Sequence, residues 1–320
     1  MCALRPLLRP WWLLCFALVG CVRRSGTDVC VHGSGALVPL GTGSQSIPTV
    51  FVILMENHDW NAIAGNPSAP YINGSLLPQA SYATRYFGVR HPSEPNYLWL
   101  EGGTDYGIAD DDDPPSHHLA NRDHLVSLLD QAGISWKTYQ EGISGTDCPL
   151  QSHDLYAAKH NPFVFFDDVT DRLNAHSSNC ISHVRPLTEL ATDLTTGAVA
   201  RYVFITPNLC NDMHGAPACG NSDPIHAGDA WLAQWVPRLQ ASPAYANAAV
   251  VITWDENEGG NAPVGFIVLS PLAKGNGYSN AVAYTHSSLL RSLQEIFGVG
   301  PFLCDAANAT SLSDLFRSYP

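Results

Sequence analysis

An α/β fold, with a mainly parallel central sheet and helices on both faces, is what this sequence predicts, on three observations. Residues 49–55, 201–206, 247–254 and 264–270 are short apolar runs without polar alternation, the pattern of strands buried on both faces. Between them lie stretches with apolar residues at helical spacing, so strands and helices alternate. Three of the four runs end in polar clusters, namely Glu56-Asn57, Asn208 with Asp212 and His214, and Asp255-Glu256. In a parallel sheet those ends share one edge, where open α/β folds bind ligands, and residues far apart in the chain converge there. With no internal repeat and no long linker, 49–320 reads as a single domain.

The elements follow in order. The strand at 49–55 runs into Glu56-Asn57-His58-Asp59, and a second run, 81–87, precedes His91-Pro92-Ser93-Glu94-Pro95-Asn96-Tyr97. Each proline fixes its own φ and turns the preceding residue away from helix, so Ser93 is expected on a stiff, non-helical turn. That is how a nucleophile is presented, although a Pro-rich loop with a helix-capping serine has the same composition. A helix beginning at about Pro95 would put unpaired N–H groups and a positive dipole end beside the Ser93 hydroxyl, which suits phosphate. Residues 123–131, with Leu125, Val126, Leu128 and Leu129, read as a helix stopped at Gly133, and 135–139 as a short strand. From 140 to 179 periodicity is weak; this stretch reads as irregular cover carrying the polar patch Lys159-His160-Asn161. A helix over 227–240 places Trp231, Leu232, Trp235, Val236 and Leu239 in the core, with Pro237 kinking or ending it. Thr285 caps a last helix, 286–297, whose Leu289, Leu290, Leu293 and Ile296 share a face.

Composition narrows the class. With 320 residues, 45% hydrophobic and 14% charged, the chain is globular. A net charge of -13 leaves no basic footprint and excludes a role built on DNA or RNA backbone contacts. Part of the acidity is the run Asp110 to Asp113, most often a solvated loop and less often a cation site. Residues 1–20 carry Arg5 and Arg9 before an apolar stretch too short to span a bilayer, the order of a secretory signal. Leu18-Val19-Gly20-Cys21 resembles a bacterial lipobox, which would make Cys21 the lipidated first mature residue and 21–48 a tether and lead-in; an ordinary signal peptide is the alternative. Either way the mature protein is expected outside the cytoplasm or on the envelope, touching membrane only through a lipid on Cys21. Six cysteines then remain, Cys30, Cys148, Cys180, Cys210, Cys219 and Cys304, enough for three disulfides. Cys210 and Cys219 are expected to pair across a turn containing Gly215 and Pro217, and no C-x-x-C spacing supports a thiolate zinc site.

Glu56, Asn57, Asp255 and Glu256 are hard oxygen donors suited to magnesium, calcium or manganese; an added histidine would shift the preference toward zinc or manganese. Grouped acids repel one another and raise their pKa values unless a cation compensates.

Met55-Glu56-Asn57, the His91 to Tyr97 heptapeptide, Lys159 to Phe163, Pro207-Asn208 with Asn211 to His214, Gly228 to Leu232, Trp254-Asp255-Glu256 and Thr285-His286 occur in an order and spacing that resembles the phosphoesterase family of secreted bacterial and fungal acid phosphatases and phospholipases C. That family is a branch of the alkaline-phosphatase-like superfamily. The resemblance runs from about residue 49 to 299, and the serine-centred turn is closer to the acid phosphatases. It implies an alkaline-phosphatase-like fold and a divalent metal ion held by Glu56, Asn57, Asp255 and Glu256, with Ser93 completing the shell. Asn96 would donate to a phosphate oxygen. His91, His214 and His286 would supply phosphate contacts, metal ligation or the leaving-group proton, with Asp212 orienting one of them. The implied activity is phosphomonoester hydrolysis through a phosphoserine at Ser93, with an acidic optimum. A phospholipase C or phosphodiesterase acting on phospholipid head groups is the alternative, and a phospholipid or phosphoinositide is among the implied substrates. A metal-stabilised binding protein without catalysis is a third reading, against which stands the serine between two prolines.

Overall fold

A computed structural model describes residues 46–320; the leader, Cys21 and Cys30 lie outside the described residues. Among the described residues nine strands form one sheet: β1 (Val50–Met55), β2 (Ser81–Phe87), β3 (Trp136–Gln140), β4 (Val184–Pro186), β5 (Tyr202–Thr206), β6 (Ala249–Trp254), β7 (Val264–Leu269), β8 (Tyr278–Asn280) and β9 (Tyr284–Thr285). Their order is β4-β3-β5-β1-β6-β7-β2-β8, with β9 on β2. All pairings are parallel except those of β7 with β6 and with β2. The exception has a local cause: the connection from Trp254 to Val264 is too short for a crossover, so β7 must return antiparallel. Every residue of β1, β5, β6 and β7 is buried, as continuous apolar runs require.

The principal helices are α1 (Ser93–Gly102), α2 (Leu125–Gln131), α3 (Leu187–Thr196), α4 (Pro224–Ala241) and α5 (His286–Phe297), and they surround the sheet. The helix expected from about Pro95 starts at Ser93 instead, so the serine is not on a non-helical turn but is the first helical residue after an extended Pro92. Pro95 then falls in the first turn, where the missing N–H has no intrahelical partner to lose. The helix expected from 227 begins at Pro224, because the Asp223 side chain accepts the Ile225 and His226 N–H groups, and it runs through Pro237. Strand β4 and helix α3 were not anticipated; three residues of strand carry no periodic signal. Cys210–Cys219 pairs as expected and Cys148–Cys180 forms a second bridge, while Cys304 is disulfide-bonded as well. Among the described residues no helix is long and apolar enough to cross a membrane.

Candidate active site

Sheet register alone brings the first two clusters together. Met55 ends β1 beside Trp254 at the end of β6, so Glu56-Asn57 and Asp255-Glu256 leave the same edge as neighbours. The Glu56 N–H donates to the Asp212 carbonyl (2.8 Å), which adds the loop after β5. The turn after β2 then closes over them. A Cβ on Gly88 would lie 2.7 Å from the Asp255 carbonyl oxygen, so only glycine admits this approach. Asn96 clamps the turn: its Oδ1 accepts the Val89 and Arg90 N–H groups (2.9 and 3.1 Å), and its Nδ2 donates to the Arg90 and Pro92 carbonyls (2.9 and 3.2 Å). Ser93 opens α1 with only 1% of its surface exposed, and its Oγ lies 3.1 Å from Glu56 Oε2 and 3.4 Å from Glu256 Oε1.

Four acids crowd this edge, and one buried histidine answers them. His160 Nε2 is 3.2 Å from Glu56 Oε2 and its Nδ1 3.5 Å from Asp212 Oδ2, with the ring stacked on Tyr97 at 5.1 Å. Burial disfavours its charge, but the attraction of Glu56 and Asp212 wins and raises its pKa to about 9. Burial pushes Glu56 up; the His160 charge, with hydrogen bonds from His160 and the Tyr97 hydroxyl, reverses this and holds it at about 2. The remaining acids are less well served. Burial, then Glu56 and Glu256, push Asp255 well above the carboxylate range, and burial raises Asp212. Glu256 is pushed up to about 7 by burial, against the pull of His91, whose Nδ1 is 2.5 Å from Glu256 Oε2.

A family profile described as "Phosphoesterase family" matches residues 75–300. The chain belongs to the phosphoesterase family. It is 28% identical over 316 residues to a phosphatidylinositol-3-phosphatase of Mycobacterium tuberculosis, covering 98% of this chain and 96% of that protein. It is 31% identical over 261 residues to a phosphate-repressible acid phosphatase of Penicillium chrysogenum, with 77% of this chain and 58% of that protein covered. A probable acid phosphatase of Kluyveromyces lactis is 31% identical over 218 residues, or 65% of this chain and 47% of that one. The chain thus spans about half the length of these fungal relatives and nearly all of the mycobacterial one. Among solved structures, an alkaline phosphatase superfamily protein of Vibrio parahaemolyticus aligns with TM-score 0.55 at 10% identity, covering 87% of this chain and 74% of its own. A phosphonate monoester hydrolase of Agrobacterium radiobacter aligns with TM-score 0.54 at 13% identity, over 85% and 78% of the two chains. At such identities these two matches speak for the fold. The phosphoesterase described here is an enzyme, a hydrolase of phosphoric esters.

The residues present fit the divalent ion that the family resemblance implies. Asn57 adopts a left-handed backbone (φ 45°) that turns its amide onto two acids, placing one amide atom 3.0 Å from Glu56 Oε2 and 3.1 Å from Asp255 Oδ1. As nitrogen, that atom donates to both carboxylates. As oxygen, it completes a trio of converging oxygens that a cation would hold together.

Of the expected site residues, the structure brings Glu56, Asn57, Ser93, Asp255 and Glu256 together, with His91 and Asp212 beside them. His214 is exposed, its ring 6.0 Å from that of His160; its N–H is held by Asp212 Oδ1 (2.8 Å) and its Nδ1 by the Gly215 carbonyl (2.7 Å). The ring that Asp212 faces is therefore that of His160, rather than one of the three expected histidines. His286 is fully buried, with Nε2 2.5 Å from the Asp255 carbonyl and Nδ1 3.0 Å from the Tyr86 hydroxyl. Burial lowers its pKa to about 4, so it is a neutral ring that holds Asp255 in place. Asn96, expected to donate to phosphate, has both amide hydrogens committed to carbonyls and holds the turn instead. The expected row of free N–H groups at the start of α1 is also thinner: Pro92 and Pro95 have none, and that of Glu94 goes to Asp111 Oδ1 (3.0 Å), which leaves the Ser93 N–H. Tyr97 and His160 join the site unpredicted. Both lie in stretches that carried the resemblance, and Tyr97 stands four residues after Ser93, on the same helix face.

Proposed function

We propose that this phosphoesterase hydrolyses phosphomonoesters by phosphoryl transfer to Ser93. The observation that carries the reading is the Ser93 hydroxyl at the first turn of α1, held 3.1 Å from the buried Glu56 carboxylate beside Asp255 and Asn57. Glu56, Asn57, Asp255 and Ser93 Oγ would hold a divalent ion of the magnesium, calcium, manganese or zinc group, with Glu256 completing the shell. Bound there, such an ion lowers the pKa of the hydroxyl and offsets charge on the phosphoryl oxygens.

The chain's own groups perform the rest. Tyr97 and His160 keep Glu56 ionised, and the Ser93 N–H with the positive end of α1 receives the phosphoryl anion. The Ser93 Oγ–P bond forms as the bond from phosphorus to the leaving alcohol breaks; the serine proton passes to Glu256 Oε1, 3.4 Å away, the more basic of the two carboxylates that the hydroxyl faces. His214, on the loop after β5 with its ring 6.0 Å from that of His160, would supply the proton to the departing alkoxide. Water then attacks the phosphoserine, releasing inorganic phosphate and restoring the hydroxyl. The printed names of the relatives supply the substrate classes to try, soluble phosphomonoesters and a phosphoinositide. The disulfides, together with the leader pattern of residues 1–20, support export of the mature chain.

Ser93→Ala is expected to lower turnover of p-nitrophenyl phosphate by about four decades. Acid-quenched wild-type protein should carry phosphate on Ser93 by mass spectrometry, and a chelator should abolish activity until a divalent ion is returned. Near wild-type turnover in the variant, or phosphate trapped elsewhere, refutes the assignment. Preference for phosphatidylcholine over phosphatidylinositol 3-phosphate and soluble monoesters would replace it with a phosphodiesterase.

A further inference from the structure

The acidic run Asp110 to Asp113 lies against the same helix start as Ser93, and its four carboxylates have unequal fates. Asp111 takes the Glu94 N–H (3.0 Å) and the Lys159 ammonium (2.7 Å), and Asp113 takes the Ser152 N–H and hydroxyl (3.1 and 2.7 Å). Asp110 and Asp112 are exposed, with Asp110 Oδ1 accepting the Asp112 N–H (3.2 Å), and they converge with His117 so that one ligand atom from each lies within 4.8 Å of the others. His117 Nε2 is 3.0 Å from Asp110 Oδ1.

A second observation comes from the other side of that ring. His117 Nδ1 is 2.8 Å from Oε1 of Glu94, a carboxylate with no exposed surface whose Oε2 has no hydrogen-bond partner. A carboxylate removed from water and only half satisfied is costly unless positive charge lies close by. Lys159 is committed to Asp111. With Nδ1–H donated to Glu94, Nε2 turns its lone pair toward Asp110 Oδ1 at 3.0 Å, a repulsion that an ion between them would relieve, and a carboxylate orienting a ligating histidine through its other nitrogen is a recurring feature of metal centres.

We propose that Asp110, Asp112 and His117 bind a second divalent ion of the zinc or manganese class, with Glu94 as the positioning residue that orients His117. Two carboxylate oxygens and one imidazole nitrogen match that class better than calcium, and the exposure of both aspartates leaves the other coordination positions to water. Because Glu94 adjoins Ser93, the ion pins the acidic loop to the start of α1 and neutralises it where a phosphate anion approaches. The site is separate from the Ser93-centred ion, and the two are counted separately.

The test is zinc stoichiometry on chelator-stripped full-length protein, by calorimetry and elemental analysis. Asp255→Asn disables the Ser93-centred ion, and in that background one equivalent of zinc is expected to remain. Adding D110N/D112N, or His117→Gln, should remove it, and D110N/D112N alone should bind one equivalent fewer than wild type. Glu94→Gln should weaken zinc binding about 10- to 100-fold without abolishing it. An unchanged zinc count in both the D110N/D112N and His117→Gln proteins, each checked for folding by circular dichroism, overturns the proposal. So does an Asp255→Asn protein that binds no zinc, which would leave His117 as an ion-paired ring only. If Ser93→Ala kept its activity, the proposed function would fail while this count stood.

Discussion

Replacing His124 with Gln should remove about 3 kcal/mol of stability at mildly acidic pH and almost none at high pH. His124 is wholly buried, stacked on Phe166 at 3.7 Å, with Nε2 3.1 Å from both Asp168 oxygens and Nδ1 3.7 Å from Glu101 Oε2. Glu101 belongs to α1, so this contact ties the far end of the nucleophile helix to the start of α2 and to the 167–170 turn. Burial opposes the charged ring, but Asp168 and Glu101 outweigh it and lift the pKa from 6.5 to about 9. That rise corresponds to about 3 kcal/mol favouring the protonated ring in the folded state, near the ~3–5 kcal/mol expected when one partner of a buried ion pair is removed. The sign follows from linkage. A histidine whose pKa is raised on folding stabilises fully below its unfolded value of 6.5, and the contribution disappears as pH rises through about 9. Urea denaturation of wild type and His124→Gln at about pH 6 and about pH 10 measures it: the gap should be large at the first and nearly closed at the second. A gap that stays constant over that range would mean that His124 is neutral in the folded protein, and would refute the reasoning.

Other expectations concern the site's supports. His286→Ala should lower kcat by loosening Asp255 but leave both limbs of the pH–rate profile in place, since a ring with a pKa of about 4 stays neutral over the working range; a displaced limb would show that it exchanges a proton. Gly88→Ala forces a Cβ to 2.7 Å from the Asp255 carbonyl, so activity should fall steeply for a stability loss of about 1–3 kcal/mol by denaturation, and full activity would show that the turn can yield. Cys148→Ser with Cys180→Ser opens a loop of sequence separation 32 and should cost about 3–4 kcal/mol in non-reducing denaturation, with little effect on kcat of the folded enzyme.

The core strands were legible because burial on both faces leaves a mark in the chain: Phe51 to Met55 and Ala248 to Ile252 are apolar without interruption, as strands covered on both faces require. The polar groups that follow them were legible for the same reason, since Glu56 and Asp255 interrupt the apolar text at the point where a parallel sheet gathers its ends. Between 140 and 200 the text fades. Strand β4 is three residues long, and much of this region is held by single contacts, such as Cys148–Cys180 and the Arg185–Glu189 pair, that leave no period to read.

Residue types and their order thus determined the class of fold, the ligand edge and the serine between prolines, because hydrophobic period and backbone restriction are local properties that each segment carries by itself. Which histidine would be charged was decided only in three dimensions. His160 and His286 are the same side chain at similar depth, yet one faces Glu56 and Asp212 and is held protonated, while the other faces a carbonyl and a hydroxyl and stays neutral. The sign of such a shift depends on the charges within a few ångströms after folding, and those neighbours come from residues as distant in the chain as Glu56 and Asp212.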